Sequence, residues 1–504
     1  MAPARPGPPS APPGRLTRPG PDPRYQAPPV RRLPVGRRRG DQYERRDDRY
    51  ERPPARKGRW IMAGVIAAAL ASAVGAAAAL RAPTTTPSWV TAPTAVAVAP
   101  VLPGLGPDAP QPSPSGLSAL LTPLLADGRL GSHVTASVID VTTGTSLFGQ
   151  GDTVGAIPAS TAKLLTAAAV LHSRGSAYQI PTRAVLGASP GEVVLVGGGD
   201  PTLAINANGS YPGAARLVLL AAQVVKALAG QAPTKVTIDG SLYSGPQYSP
   251  NWFEADHNGG YITNVTALMT DGGRKDPKRN KNAAPRYPNP DQAAGQAFAA
   301  ALGLPKSAVS AGTAPAGADQ LGQVLSLPVS RMVEIMLQDS DNMIAEAMAR
   351  QVAIARGKPA SFAGGAEATR DELAQLKLPV DGFGLLDGSG LSSEDRVSAA
   401  LLTSVLASAA SPDHPELRSI LSGLPVAAYS GTLSDRFPGA NNGAGTVRAK
   451  TGTLTGVDSL AGLAVDADGR LLAFSILADA TQGSGPAEAA IDKLAAAVAS
   501  CGCR

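Results

Sequence analysis

The chain has 504 residues, 43% of them hydrophobic and 17% charged, which is enough apolar material for a sizeable core and too much for a wholly disordered protein. Its net charge of +6 is an uneven one: residues 1–59 carry sixteen Arg or Lys against six Asp or Glu, so the remainder is near −4 and nothing in it calls for nucleic acid. Four scattered histidines (His133, His172, His257 and His414) and two cysteines in the last four residues leave no metal-ligand spacing, so neither a metal nor a cofactor is expected.

In chain order, residues 1–59 are rich in Pro and Arg with hardly an aliphatic cluster, which predicts a disordered basic tail. Residues 60–80 (WIMAGVIAAALASAVGAAAAL) form a charge-free run of twenty-one, long enough to cross about 30 Å of hydrocarbon as a helix. The Ala-rich end of that run also suits signal cleavage, but the basic region before it is too long for an ordinary signal peptide, so a retained single-pass anchor is expected. The excess of Lys and Arg before the run places the tail in the cytoplasm and the rest of the chain on the cell-wall side. Residues 81–115, rich in Pro, Ala and Thr, read as a stalk.

A folded part is expected from about Gly116. Residues 134–150 (VTASVIDVTTGTSLFGQ) alternate around a Thr-Thr-Gly-Thr turn and predict a hairpin. PASTAKLLTAAAVL (158–171) then predicts a helix that is apolar nearly all round and therefore buried, starting at Pro158 and Ser160 and stopping at Gly175. Residues 182–325 look like an inserted subdomain with strands in EVVLVGGGD and KVTIDGSLY, a helix in AARLVLLAAQVVKALAG, and DGGRKDPKRNKN as a solvated hairpin tip. Ser340, Asp341 and Asn342 interrupt two helical patterns. TVRAKTGT, VDSLAGLAV and RLLAFSILAD read as three strands, followed by a helix at about 486–499. Two early and three late strands would make one antiparallel five-stranded sheet carrying the first and last of these helices. The catalytic domain is then 116–181 plus 326–504. Cys501 and Cys503 either pair in a small ring or form an inert end, and the inert end is expected.

Chemistry concentrates in three clusters. Ser160 and Lys163 stand three apart on one helix face, with Cβ atoms about 5–6 Å from each other. A lone Lys usually runs its stem along apolar surface and puts its charge in water. A desolvated Lys163, however, has a lowered pKa and is a base for an otherwise weak Ser160 nucleophile. The N–H of Ser160, at the positive end of a helix, suits an oxyanion donor. Ser-x-x-Lys and Ser-x-Asn are common by chance; Lys450-Thr451-Gly452 is rarer, and all three in this order, on a helix start, an interhelical connection and a strand, form a strong signal.

With LVGGGDPTL (195–203), DGSGLSSEDRVS (387–398) and KTGTLTGVDSLAGLAVDADGRLLAFSIL (450–477), the chain from Gly116 onward resembles the class C low-molecular-mass penicillin-binding proteins, the D-alanyl-D-alanine carboxypeptidase/endopeptidase family. The resemblance implies an α+β fold of the β-lactamase/transpeptidase kind and a serine peptidase acting on peptidoglycan stem peptides and acylated by β-lactams. It also implies site roles. Ser340 relays a proton to the leaving D-alanine, and Asn342 holds the substrate amide. Lys450 sets the field at Ser340, Thr451 and Thr453 bind the terminal carboxylate beside Gly452, and the Thr453 N–H is the second oxyanion donor. Members with the fullest insertion carry two extra domains, so the 177 positions from Lys163 to Ser340 imply a reduced one. A serine β-lactamase would need a water-activating carboxylate. The usual Glu-x-x-Leu-Asn is absent between Asn342 and Lys450, the nearest match being Glu416-Leu417-Arg418.

Overall fold

The computed structural model describes residues 108–279, 283–438 and 443–503; the expected tail, membrane anchor and most of the stalk lie outside them. It opens on helix α1 (Pro114–Leu125), capped by the Ser113 hydroxyl, which accepts from the Gly116 N–H. The expected hairpin follows as β1 (Val134–Asp140) and β2 (Ser146–Gln150). A 3₁₀ turn (Ala159–Ala162) then leads into α2 (Lys163–Arg174), which stops at Gly175 with φ 81°. Ser160 therefore lies in the turn before the helix and not in its first α-helical turn.

Next come β3 (Gln179–Leu186), β4 (Glu192–Val196), α3 (Leu217–Ala227), β5 (Lys235–Asp239), α4 (Pro290–Ala301), β6 (Val309–Ala311) and β7 (Gln320–Pro328). The helices α5 (Val329–Gln338), α6 (Asn342–Ala355), α7 (Phe362–Gln375) and α8 (Ala399–Ala410) precede β8 (Arg448–Leu454), β9 (Val457–Val465), β10 (Leu471–Ala478) and α9 (Ser484–Ala499).

One antiparallel sheet has the order β8-β9-β10-β1-β2, with Val138 opposite Phe474 and Thr451 opposite Leu460. Because side chains alternate across a strand, the two faces collect different partners. Ala136, Val138, Leu460, Phe474 and Ile476 pack with α1 and α9, whereas Ile139, Ala461, Ala473 and Leu477 pack with α2 and α8. Coverage of both faces explains why β9 is buried at almost every position. Every residue of α2 from Lys163 to Leu171 is buried. Each large aliphatic side chain removed from water there contributes roughly 1.5–3 kcal/mol.

The second sheet has the order β6-β5-β4-β3-β7 and is mixed, with β4-β5 and β5-β6 parallel and the other pairs antiparallel. It runs from Gln179 to Pro328, slightly wider than the 182–325 read from sequence, because β3 and β7 pair with each other at its base.

Two expectations are corrected. DGGRKDPKRNKN is not simply a solvated tip, since Asp271 and Arg274 are buried and exposure begins at Lys275. Nor is the C-terminus inert and frayed. Cys501 and Cys503 form a disulfide, and the Cys503 carbonyl accepts from the Ser113 N–H (2.6 Å), tying the two ends of the described chain together. Among the described residues no helix is long and apolar enough to cross a membrane.

Candidate active site

Two left-handed backbone positions build the centre. Ala159 (φ 46°) turns the chain into the segment carrying Ser160, and Ser340 (φ 55°) sits between α5 and α6. Such conformations cost of order 1–3 kcal/mol each in non-glycine residues and persist only where the surroundings hold them.

Lys163 Nζ lies 2.8 Å from Ser160 Oγ, 2.7 Å from Asn342 Oδ1 and 2.7 Å from the Ser389 carbonyl oxygen. As an ammonium it donates to all three. When it loses a proton, the two fixed carbonyl acceptors claim the remaining N–H groups and the lone pair faces Ser160. Burial lowers the Lys163 pKa to about 8, against the opposing pull of Asp387, Glu346, Asp341 and Asp395. Glu346 is itself fully buried, and burial together with Asp387, partly offset by Arg350, raises it to about 7.

The Ser389 carbonyl is aimed by Asp387. Its carboxylate accepts from the N–H groups of Ser389, Gly390 and Ser392 and from the Trp252 indole (2.6 Å), while Thr166 Oγ1 donates to the Gly388 carbonyl. Across the cleft, Lys450 Nζ donates to Ser340 Oγ (2.9 Å) and to the Thr451 carbonyl (2.6 Å). Burial, with a smaller contribution from the charge of Lys163, pushes the Lys450 ammonium well below the ordinary lysine range.

Gly452 meets the Ser160 turn. A Cβ there would lie 2.2 Å from Ser459 Oγ, 2.7 Å from the Pro158 carbonyl oxygen and 3.0 Å from the Ser160 nitrogen, so only glycine lets β8 come this close. The Thr451 hydroxyl lies 2.8 Å from that of Thr432, and the Thr453 hydroxyl 3.5 Å from Glu488 Oε1. Ser160, Ser340, Asn342, Thr451 and Thr453 line one cleft of about 650 Å³. Lys163 and Lys450 are fully buried beneath it. Glu416 bonds His414 (3.1 Å) and does not line the cleft. Among the described residues no group of three or more His, Cys, Asp or Glu is placed to hold a metal ion.

Sequence reasoning missed several residues at this site. Tyr261 lends its carbonyl to Asn342 Nδ2 (3.2 Å), Thr432 faces Thr451, and Asp387, Trp252 and Glu346 shape the surroundings of Lys163. DGSGLSS stands out in the sequence but does not by itself mark a role for Asp387, and nothing local marks Trp252 or Thr432, whose partners are distant in sequence.

The sequence profile of the D-Ala-D-Ala carboxypeptidase 3 (S13) family matches residues 117–286 and 277–498. A carboxypeptidase of Mycobacterium tuberculosis is 40% identical over 400 residues, covering 78% of this chain and 85% of that one. The carboxypeptidase DacB of Mycolicibacterium smegmatis is 39% identical over 459 residues, covering 89% and 98%. The crystal structure of penicillin binding protein 4 (dacB) from Haemophilus influenzae shares the fold, with a TM-score of 0.60 at 22% identity over 76% of this chain and 99% of that one. Its complex with a novel beta-lactam gives 0.53 at 22% over 75% and 98%.

Proposed function

We propose the following division of labour for a chain that belongs to the D-Ala-D-Ala carboxypeptidase 3 (S13) family and is thereby a serine D-Ala-D-Ala carboxypeptidase/endopeptidase. Ser160 is the nucleophile and Lys163 its base. Ser160 Oγ bonds to the carbonyl carbon of the penultimate D-alanine as its proton passes to Lys163; the C–N bond to the last D-alanine breaks, and the departing nitrogen receives a proton through Ser340. Water then attacks the ester, its oxygen bonding to the carbonyl carbon, while Ser160 Oγ leaves and regains a proton. The N–H groups of Ser160 and Thr453 take the oxyanion, for which Gly452 keeps the approach open. Asn342, whose Nδ2 has a second N–H beyond the one given to Tyr261, binds the substrate amide. Lys450 supports Ser340, and the hydroxyls of Thr451 and Thr453 receive the terminal carboxylate.

The observation that carries this reading is the environment of Lys163: fully buried, 2.8 Å from Ser160 Oγ, with its other two hydrogen bonds spent on fixed carbonyl oxygens. The substrates are peptidoglycan stem peptides, and β-lactams acylate Ser160, in keeping with the β-lactam complex of the related fold. Ser160→Ala should end both penicillin labelling and D-alanine release at a stability cost of only about 1 kcal/mol. Stoichiometric labelling of that variant would move the nucleophile elsewhere.

The chain's organisation follows: residues 1–59 as a cytoplasmic tail, 60–80 as a transmembrane anchor, 81–115 as a stalk, 116–181 and 326–504 as the catalytic domain, and 182–325 as the insertion. The charge asymmetry supports it, with no Lys or Arg between Arg81 and Arg129. Protease added to intact spheroplasts should remove the catalytic domain; protection of that domain would reverse the orientation.

A further inference from the structure

The inserted region reaches the centre of the site behind Ser340. Arg274 and Tyr211, both buried, bond the same carboxylate oxygen of Asp341: Arg274 Nη2 donates at 3.0 Å and the Tyr211 hydroxyl at 2.8 Å. Arg274 Nη1 also donates to the Tyr211 oxygen (2.7 Å) and to the Asp271 carbonyl (3.0 Å), so the three side chains close a ring. The other Asp341 oxygen caps α6 by accepting from the Ile344 N–H (3.0 Å). The turn presenting Arg274 is pinned in its own right, with Asp271 at φ 53° and Gly272 at φ 61°, and Arg286 donates to the Gly272 carbonyl.

Asp341 is only 2% exposed and is absent from the cleft lining. Its chain neighbours do the work there. Ser340, in its left-handed conformation, bonds Lys450, and Asn342, opening α6, bonds Lys163. An ion pair buried this completely is a poor stability device, because desolvation offsets most of the Coulomb gain.

We propose that Arg274 and Tyr211 are positioning residues for the reaction: through Asp341 they hold Ser340 and Asn342 in register with the two lysines, so that the insertion completes the site. The inference rests on the roles given above to Ser340 and Asn342.

The test uses the full chain with Tyr211→Phe, Arg274→Gln and Arg274→Lys, and Ser340→Ala as reference. Acylation by a fluorescent penicillin is followed for both rate and final stoichiometry, alongside D-alanine release and melting temperature. Loss of the Tyr211 hydroxyl, which bonds both charged partners, should slow acylation on the order of 10-fold in Tyr211→Phe, and loss of the charged pair on the order of 100-fold in Arg274→Gln. Labelling should still reach one per chain, and Arg274→Lys should recover part of the rate.

A purely structural role would lower the melting temperature and the labelled fraction while leaving the rate per labelled site unchanged. That pattern, or wild-type rates in a folded Arg274→Gln protein, overturns the proposal. If Arg274→Gln does not fold, Tyr211→Phe, which loses a single hydroxyl, decides by the same criterion. Full turnover by Ser340→Ala would instead remove the reading on which the proposal rests. An inactive Ser340→Ala beside unslowed Arg274 and Tyr211 variants sinks the proposal alone.

Discussion

At the scale of single residues, the site depends on a lysine kept where its charge is disfavoured. With Lys163 lowered to about 8 and required in its neutral form, acylation should rise with pH through about 8, and fall tenfold per unit below it. Glu346→Gln removes a carboxylate that favours the ammonium, so it should move this acidic limb to lower pH; a limb displaced upward would mean that Glu346 acts otherwise. Lys163→Arg should be nearly as damaging as loss of Ser160, since a guanidinium keeps its proton. Near-normal acylation in Lys163→Arg, followed by stopped-flow labelling, would end the general-base role.

Elements differ in how much of them could be read in advance. The hairpin, the buried helix and the three late strands declared themselves through alternation, a charge-poor run and a DADG turn, all local signals. The 3₁₀ turn before α2 did not, because propensity does not distinguish it from a first α-turn. Helix α1 was hidden by Pro123, and β3 by Pro181 within it. Ser160, Lys163 and the Lys450 strand were legible from spacing. Arg274 and Trp252 were not, because their partners lie 67 and 135 residues away in sequence, nor was Asp387, which sits on a loop without periodicity.

Packing of one element on another also yields a test. Gly452→Ala places a methyl against the Ser160 turn, so β8 must withdraw and with it one oxyanion donor. Acylation should fall by about 10²- to 10³-fold. Unchanged acylation in a folded Gly452→Ala protein would show that the close approach is not needed.

At the scale of the whole molecule, early and late parts of the chain share one sheet, joined by a buried pair in which Arg470 donates to both oxygens of Asp140 (2.6 and 3.0 Å). Burial alone would raise the Asp140 carboxyl, but its bonds to Arg470 hold it below the usual range, so this stabilisation is present at neutral pH and lost as pH falls through the Asp140 titration. Arg470→Leu strands a buried charge and should cost about 3–5 kcal/mol in a denaturant titration. A cost under about 1 kcal/mol would make the pair incidental.

The most direct test of the site as a whole is a single labelling experiment on the purified chain. Benzylpenicillin is added, the protein is digested at intervals, and the acylated peptide is identified by mass while D-alanine release from a D-alanyl-D-alanine-ended peptide is followed in parallel. One penicilloyl group should appear on Ser160 and persist for minutes or longer, because the ring-opened drug stays tethered where water must enter, whereas the D-alanine leaving group departs and the peptide turns over quickly. An adduct on another residue, or penicillin hydrolysed above about 10 s⁻¹ with no D-alanine released, would contradict it.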